Sequence, residues 1–313
     1  MNVQQLRYVR ETIRCGLNLT AAAEALHTSQ PGISRQVREL EDELGIEFFV
    51  RRGKRIIDLT ESGRMLAPIV ERILQEIDNL RSAADELRDQ DAGALVVATT
   101  HTQARYTLPA VVAEFKREFP RVRLSLRQGN PPQIADMVLR GAADIGIASE
   151  ALDNYPGLLA LPGFAWQHCI VAPPDHPLFA EPHLSLESLA RFPLITYDPA
   201  FAGRSHIDEA FAARGLDADI VLAAIDSDVI KTYVELGLGV GVIAAMAFDP
   251  ERDRGLRMLD ASHLFRTNMA RVALLRGRRL RVFTFAFVEK FAPHLSRQVV
   301  EKAMAGAQES YEL

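Results

Sequence analysis

Cysteine is nearly absent. Cys15 and Cys169 are the two in 313 residues. Two thiols cannot build a disulfide framework or a cysteine-based zinc site, and these two fall in different predicted domains. They are expected to be reduced, partly buried thiols of a cytoplasmic protein. Long hydrophobic runs are missing too: no stretch of about 18 apolar residues occurs, so no transmembrane helix and no membrane partner are predicted. The start, MNVQQLRYVRET, reads as an amphipathic helix and not as a signal peptide. The chain has no HExxH and no GxSxG, and His101, His168 and His206 lack metal-ligand spacing. No enzymatic activity, metal or cofactor is therefore expected. The run LGLGVGV at Leu236–Val242 lacks the Gly-Lys-Ser/Thr ending of a phosphate loop, and it leads from a helix into a strand. It reads as a tight turn with close packing. Excess positive charge is the last absence: 36 Lys and Arg stand against 41 Asp and Glu, a net charge of −5. A basic footprint, if there is one, must be confined to a patch.

What is present is a chain long enough for two or three domains, with 48% hydrophobic and 25% charged residues, as in soluble globular proteins. Its densest signal is NLTAAAEALHTSQPGISRQVRELEDEL, Asn18 to Leu44. Thr20 is expected to cap a helix over the Ala-rich run that ends near His27 and Thr28. Ser29 can cap the next helix, with Pro31 tolerated in its first turn. Ile33, Val37, Leu40 and Leu44 share one face, and Gly45 stands where a helix would stop. The other face carries Gln30, Ser34, Arg35 and Arg38, which can donate to base edges and phosphates. A helix-turn-helix needs this division; an ordinary amphipathic hairpin would show it too. The next segment weighs against the ordinary hairpin. Glu47–Val50 and Arg55–Leu59 flank a turn with Gly53, and Arg51, Arg52, Lys54 and Arg55 put four positive residues within five positions. A basic wing beside a helix-turn-helix is the pattern of a winged DNA-binding domain, whose affinity should fall steeply with salt.

The rest of the chain reads in blocks. Val3, Leu6, Val9 and Ile13 face inward from a first scaffold helix. Thr60 caps a long helix on which Leu66, Val70, Ile73, Ile77, Leu80, Ala84 and Leu87 alternate spacings of four and three, a heptad seam that favours dimerisation through a two-helix coil. Pro68 predicts a bend near its start. RDQDAG, Arg88–Gly93, marks a linker. Beyond it, strands near Ala94–Thr99, Val122–Leu126 and Ile145–Ala148 alternate with helices at Gln103–Phe119 and Pro132–Leu139, a parallel βαβαβ unit. A second unit begins near Phe164, with strands at about His168–Ala172, Leu194–Tyr197, Ile220–Ala223 and Gly241–Ala244. Helices are expected at Leu186–Ala190, Ser205–Arg214 and Ser227–Gly237. Ala270–Leu275 and a helix over Leu280–Phe291 return to the first unit. The fold class is thus α/β: a winged helix-turn-helix over 1–59 (its hairpin 19–38), a long helix and hinge over 60–92, and a two-subdomain α/β domain over 93–313. Its subdomains are expected at about 93–163 with 266–295, and at 164–265.

LTAAAEALHTSQPGISRQVRELEDELG with FVRRGKRIIDLTESG resembles the N-terminal domain of LysR-type transcriptional regulators. ATTHTQARYTLP, QGNPPQIADMV, DHPL and DVIKTYVELGLGVGVIAAMA resemble the CysB branch, regulators of sulfur assimilation. The resemblance covers about Met1 to Val300. It implies double-stranded operator DNA as one partner, met by Thr28, Gln30, Pro31, Ser34, Arg35 and Arg38 and by Arg51, Arg52 and Lys54 of the wing. It implies a periplasmic-binding-protein-like effector domain, RNA polymerase as a further partner, and self-association as a dimer or tetramer.

In open α/β sheets, ligands sit beyond the carboxyl ends of strands, near helix N-termini. Here that place is TTHTQ. Thr100, Thr102 and Gln103 offer neutral donors suited to a small anion or zwitterion; helix capping would account for one of them, not for three. In the branch resembled, two further threonines contact the anion. Ser149 replaces one and keeps a hydroxyl; Ala202, in FAGRS, replaces the other and has none. Candidate effectors are sulfate, thiosulfate, O- or N-acetylserine and adenosine phosphosulfate. A wider pocket at Ala202 leaves sulfonate or organic-acid regulation open, and the α/β core alone would also suit a plain binding protein. Arg204 could meet an anion or a surface carboxylate, while Asp226 and Asp228 are expected to cap a helix.

Overall fold

The computed structural model describes residues 1–53 and 55–306. They divide into two compact units, one ending at Leu87 and one beginning at Arg88. Lys54, expected at the wing tip, lies outside the described residues.

The first unit holds α1 (Val3–Arg14), α2 (Leu19–Ala25), α3 (Gln30–Leu44), β1 (Phe49–Arg52), β2 (Arg55–Leu59) and α4 (Glu61–Arg88). Leu6, Val9, Ala22, Ile33, Val37, Leu40, Phe48 and Phe49 form its core. Ala22 and Ala23 are both buried, so α1 and α3 can approach α2 closely. Thr20 is not the cap of α2. Gly16 and Leu17 take positive φ, the helix starts two residues earlier than expected, and the Asn18 side chain accepts from the amides of Thr20 and Ala21. Ser29 caps α3, and Gly45 ends it in the left-handed region at φ 66°. Two expected core positions are exposed, Val3 (38%) and Leu44 (42%).

The strands of the wing are antiparallel with an irregularity at Val50/Arg51. The first strand starts at Phe49 and not at Glu47, and the buried Glu41 carboxylate of α3 takes the amides of Phe48 and Phe49, at 2.8 and 3.3 Å. Thr60 does cap α4, accepting from Gly63 at 2.8 Å. The helix then runs unbroken through Pro68. Its apolar stripe is split, unlike the single seam expected. Leu66, Val70, Leu74 and Ile77 pack on the unit's own core, while Met65, Ile69, Ile73, Leu80 and Leu87 are exposed.

The second unit contains two five-stranded sheets. One runs β4 (Val122–Gln128), β3 (Gly93–Thr99), β5 (Ile145–Ala148), β12 (Asn268–Leu275), β6 (Leu158–Trp166), with β3, β4 and β5 parallel and β12 antiparallel to its neighbours. The other runs β11 (Arg257–Asp260), β7 (His168–Ala172), β10 (Val240–Ala244), β8 (Leu194–Tyr197), β9 (Ile220–Ala224). Helices α5 (Leu108–Glu118), α6 (Pro131–Leu139), α10 (Val282–Phe291) and α11 (Arg297–Met304) belong with the first sheet. Helices α7 (Leu186–Leu189), α8 (Ala202–Ala213) and α9 (Ser227–Glu235) belong with the second. The chain passes between sheets twice, from β6 to β7 at Gln167 and from β11 to β12; the Gln167 side chain donates to the Thr267 hydroxyl where the two passages lie side by side.

The sequence pattern missed β6, β11 and α11. Pro162 and Gly163 interrupt the apolar run of β6, yet β6 is an edge strand, and its partner β12 is irregular at Met269/Arg271 opposite them. The helix expected over Gln103–Phe119 is two pieces, a π-helical turn at Gln103–Thr107 and then α5.

Candidate functional sites

In the first unit α3 presents its polar face as expected. Arg35 and Arg38 are exposed and Gln30 and Ser34 half-buried, while Thr28 and Pro31 stand exposed at the turn. Arg35 forms a 2.8 Å ion pair with Glu39 one turn on, mostly in solvent, so it is easily exchanged for a phosphate. Gln30 joins Arg52 and Arg55 of the wing, with Asn18 and Thr20, around one groove of about 480 Å³. Arg51 is placed differently. Its guanidinium pairs with Glu41 at 2.8 Å and only 19% of its side chain is exposed. The same carboxylate fixes the base of the wing, so Arg51 ties wing to α3. A phosphate would have to compete with that buried partner.

In the second unit, Thr100, Thr102, Gln103, Ser149 and Ala202 all line one cavity of about 50 Å³ between the two sheets. Its capacity is several times the ~10–15 Å³ that one water needs. Thr100 and Thr102 stand where β3 ends, and Gln103 opens the π-helical turn. Ser149 follows β5, and Ala202 begins α8. The Gln103 Oε1 and Ser149 Oγ atoms are buried without a partner, an arrangement that costs stability unless something fills the cavity and answers them. The amide of Gln103 can present either its oxygen or its NH₂ group.

The remaining wall is apolar, from Pro131, Trp166, Phe201 and Met246, with Tyr197 beneath. Burial pushes the Tyr197 hydroxyl up to about 12, hydrogen bonding with Ser227 and Ala244 pulling the other way. The Ala244 amide donates to it at 2.9 Å, so it is a neutral group. No side chain lining the cavity is charged. Behind Gly203, His168 is buried and its proton affinity is pushed down to about 3 by burial, with His206 adding to the effect; it too is neutral near pH 7. A side chain at Gly203 would meet the rings of His168 and Trp166 at 3.1 Å. Any charge compensation for an anion must then come from dipoles: hydroxyls, the amide, and the first-turn amides of α8. Arg204 does not contribute, since it pairs with Asp208 at 2.7 Å and donates to the Tyr197 carbonyl.

The bacterial regulatory helix-turn-helix family, lysR type, matches residues 3–64, and the LysR substrate binding domain matches residues 88–296. The chain belongs to the LysR family of transcriptional regulators. It is 56% identical to the HTH-type transcriptional regulator CysB of Burkholderia cenocepacia over 313 residues, all of both chains. It is 55% identical to SsuR of the same organism over 95% of this chain and 96% of that one. The cofactor-binding domain of the Cbl transcriptional regulator superposes with a TM-score of 0.67 at 49% identity, covering 69% of this chain and 95% of that one.

For this LysR-family regulator, members of the family bind DNA, and the first unit carries the matching hairpin and wing. No helix among the described residues is long and apolar enough to cross a membrane. The cavity's aromatic wall was not legible in the sequence: Trp166 and Tyr197 are the last residues of β6 and β8, far from TTHTQ in sequence. Their one common signal is position at a strand's carboxyl end, shared with Thr99 and Ala148. Asp226 caps α9 as expected, accepting from Val229. Asp228 does not cap; it accepts from Tyr106 at 2.6 Å and pairs with Arg105 at 2.7 Å.

Proposed function

We propose that this regulator controls sulfur-acquisition genes from the cytoplasm, without catalysis, in response to a small anion or an acetylserine held by Thr100, Thr102, Gln103 and Ser149. One observation carries the effector reading. A small cavity between two sheets has unanswered polar atoms at one end and no charged side chain. A neutral nest of this kind suits a compact oxyanion, whose several acceptor oxygens can be met by hydroxyl, amide and backbone donors. The similarity to CysB over the whole chain supports the sulfur assignment.

The mechanism follows from the two crossings between sheets. A ligand that touches β3 and β5 on one side and α8 on the other favours the arrangement in which both sides reach it. That shift is passed to DNA through the first unit, where α3 and the wing read and position the operator, and to RNA polymerase. Self-association as a dimer or tetramer would place two hairpins on a two-fold operator. The exposed residues of α4, Met65, Ile69, Ile73, Leu80 and Leu87, support that helix as one contact surface.

A second reading is favoured by Ala202 and its neighbours. Ala202 shares the cavity lining with Trp166, Phe201 and Met246 and brings a methyl group where a hydroxyl would complete the anion nest. An effector with an anionic head and a short apolar body, such as an alkanesulfonate, fits that wall. Calorimetry on the full chain, titrated separately with sulfate, thiosulfate, O-acetylserine, N-acetylserine, adenosine phosphosulfate and ethanesulfonate, tests both. Saturable heat with one of the first five supports the first reading. Heat with ethanesulfonate alone selects the second. Silence with all six removes the sulfur reading.

A further inference from the structure

The π-helical turn Gln103–Thr107 has two working faces. One puts Gln103, 5% exposed, against the effector cavity. The other carries Arg105, Tyr106 and Thr107 to the opposite subdomain. The Tyr106 hydroxyl donates to Asp228 Oδ1 at 2.6 Å and accepts from Lys231 Nζ at 3.0 Å. Lys231 also lies 5.3 Å from the centre of the Tyr106 ring. It donates to both oxygens of Asp253, at 2.8 and 2.9 Å, and to the Ala247 carbonyl at 2.9 Å. Lys231 and Asp253 are 6% and 8% exposed. Burial pulls the Lys231 ammonium down, but hydrogen bonds from its partners, Asp253 first, outweigh it, so the cation persists. Met246, which lines the cavity, is gripped from the same turn: the Thr107 hydroxyl lies 3.4 Å from its sulfur.

We propose that Tyr106 is a positioning residue for effector recognition, a bolt that fixes the turn bearing Thr102 and Gln103 to the subdomain bearing Met246 and Ala202. The inference rests on the cavity being the effector site. Two chain crossings alone leave the closing angle of the subdomains soft, whereas the bolt sits beside the cavity and joins its two walls. With the bolt made, the donors are already set at the spacing a ligand needs. With it broken, each binding event must order them, and apparent affinity falls by the fraction of molecules that are ordered. The hydroxyl is the critical atom, because it alone touches both the anion Asp228 and the cation Lys231. A π-helical turn suits the role, since its wider ring rotates consecutive side chains away from ordinary helical faces and lets residues three apart address different partners.

The test uses the full chain and two readouts. In hydrogen exchange without ligand, Tyr106→Phe should raise exchange of amides 103–107 and 227–235 by about tenfold and leave β3 and β10 unchanged. No change there, or an equal rise everywhere, overturns the proposal. In calorimetry with sulfate, or with O-acetylserine if sulfate gives no heat, Tyr106→Phe should weaken binding about fivefold. In the double variant with Thr102→Ala the two losses should multiply, because the bolt sets the ordered fraction and Thr102 the contact made within it. Unchanged binding in Tyr106→Phe, while Thr102→Ala weakens it, would overturn the proposal. An unchanged titration in Thr102→Ala would instead remove the cavity reading, with the exchange result still deciding the bolt. Asp228→Asn should reproduce the exchange pattern of Tyr106→Phe.

Discussion

The two units solve recognition in opposite ways. The first unit gathers the groups proposed to meet DNA from one continuous stretch, Thr28 to Arg55, on a helix and the wing that follows it. The second unit gathers the groups proposed to hold the effector from Thr100, Ser149, Trp166, Tyr197 and Ala202, each at a strand end or helix start of a different element. The first surface is charged and largely exposed; the second is neutral and largely buried. The difference follows from the partners. A polyanion is met by cations that stay in water until binding, so their desolvation cost is small. A single small anion, the proposed effector, would be met in a mostly buried site, where neutral donors avoid the large cost of burying an uncompensated charge.

The largest expected effect is on the exposed side. Ser34→Arg puts a bulky side chain on the polar face of α3, half-buried beside Ile33 and Val37. Footprinting should show specific operator binding reduced by about a thousandfold, the span that separates specific from non-specific binding. A normal footprint from a folded Ser34→Arg protein would show that another surface meets the groove, and the contrast drawn above would lose its first half.

Next comes a change that separates the units without touching either partner. A Cβ at Gly63 would lie 2.1 Å from the Phe48 carbonyl oxygen. Backbone cannot yield there, because Phe48 is held by Glu41 and its carbonyl accepts from the Thr60 amide. Gly63→Ala should cost the first unit about 3 kcal/mol or more. Thermal melting should show an early transition that abolishes DNA binding, while effector calorimetry is unaltered. A single unchanged melt would mean that the α4 start relaxes more than this packing allows.

This contrast also explains what the sequence made legible. Hairpin and wing could be read because their signals are local: Ser29, Pro31, Gly45 and Gly53 do at their own positions what such residues do anywhere. The exceptions are contacts from a distance. Arg51 looks like a wing cation, and only the fold brings Glu41 under it. The Asn18 cap displaced Thr20 because the preceding turn, at Gly16 and Leu17, set where α2 begins. In the effector unit the parallel strands were legible as apolar runs. Strand β6 was hidden by Pro162 and Gly163, whose tolerance depends on lying at a sheet edge. Thr100, Thr102 and Gln103 stood out as a cluster in sequence, whereas Trp166, Tyr197 and Met246 gave no signal until three strand ends converged. Asp228 read as a helix cap by the same local rule that is right for Asp226, and Tyr106 claims it from more than a hundred positions away.

Within the cavity, Thr102→Ala sharpens the comparison from the neutral side. It removes one hydroxyl from a site that has no charge to fall back on. Calorimetry should show effector affinity down about tenfold, the worth of one buried hydrogen bond of about 1.4 kcal/mol. Operator binding without effector should be unaltered. An unchanged titration would move the effector away from the end of β3.

The smallest effect discriminates most finely. Ala202 opens α8 with its methyl group in the cavity wall, next to Gly203, which is held bare by the rings of His168 and Trp166. Ala202→Thr adds a hydroxyl and one carbon to a space of about 50 Å³. If the effector is a bare oxyanion, the new donor reaches it, and sulfate or thiosulfate should bind about threefold more tightly in calorimetry, because part of the gain is offset by ordering the side chain. If the effector carries an apolar body, the added group occupies the room that body needs. Ethanesulfonate should then bind about threefold more weakly while sulfate gains or holds. Affinity for the true effector therefore moves in opposite directions in the two cases: up if Ala202 leaves an anion site one donor short, down if Ala202 completes a site for a ligand with an apolar body.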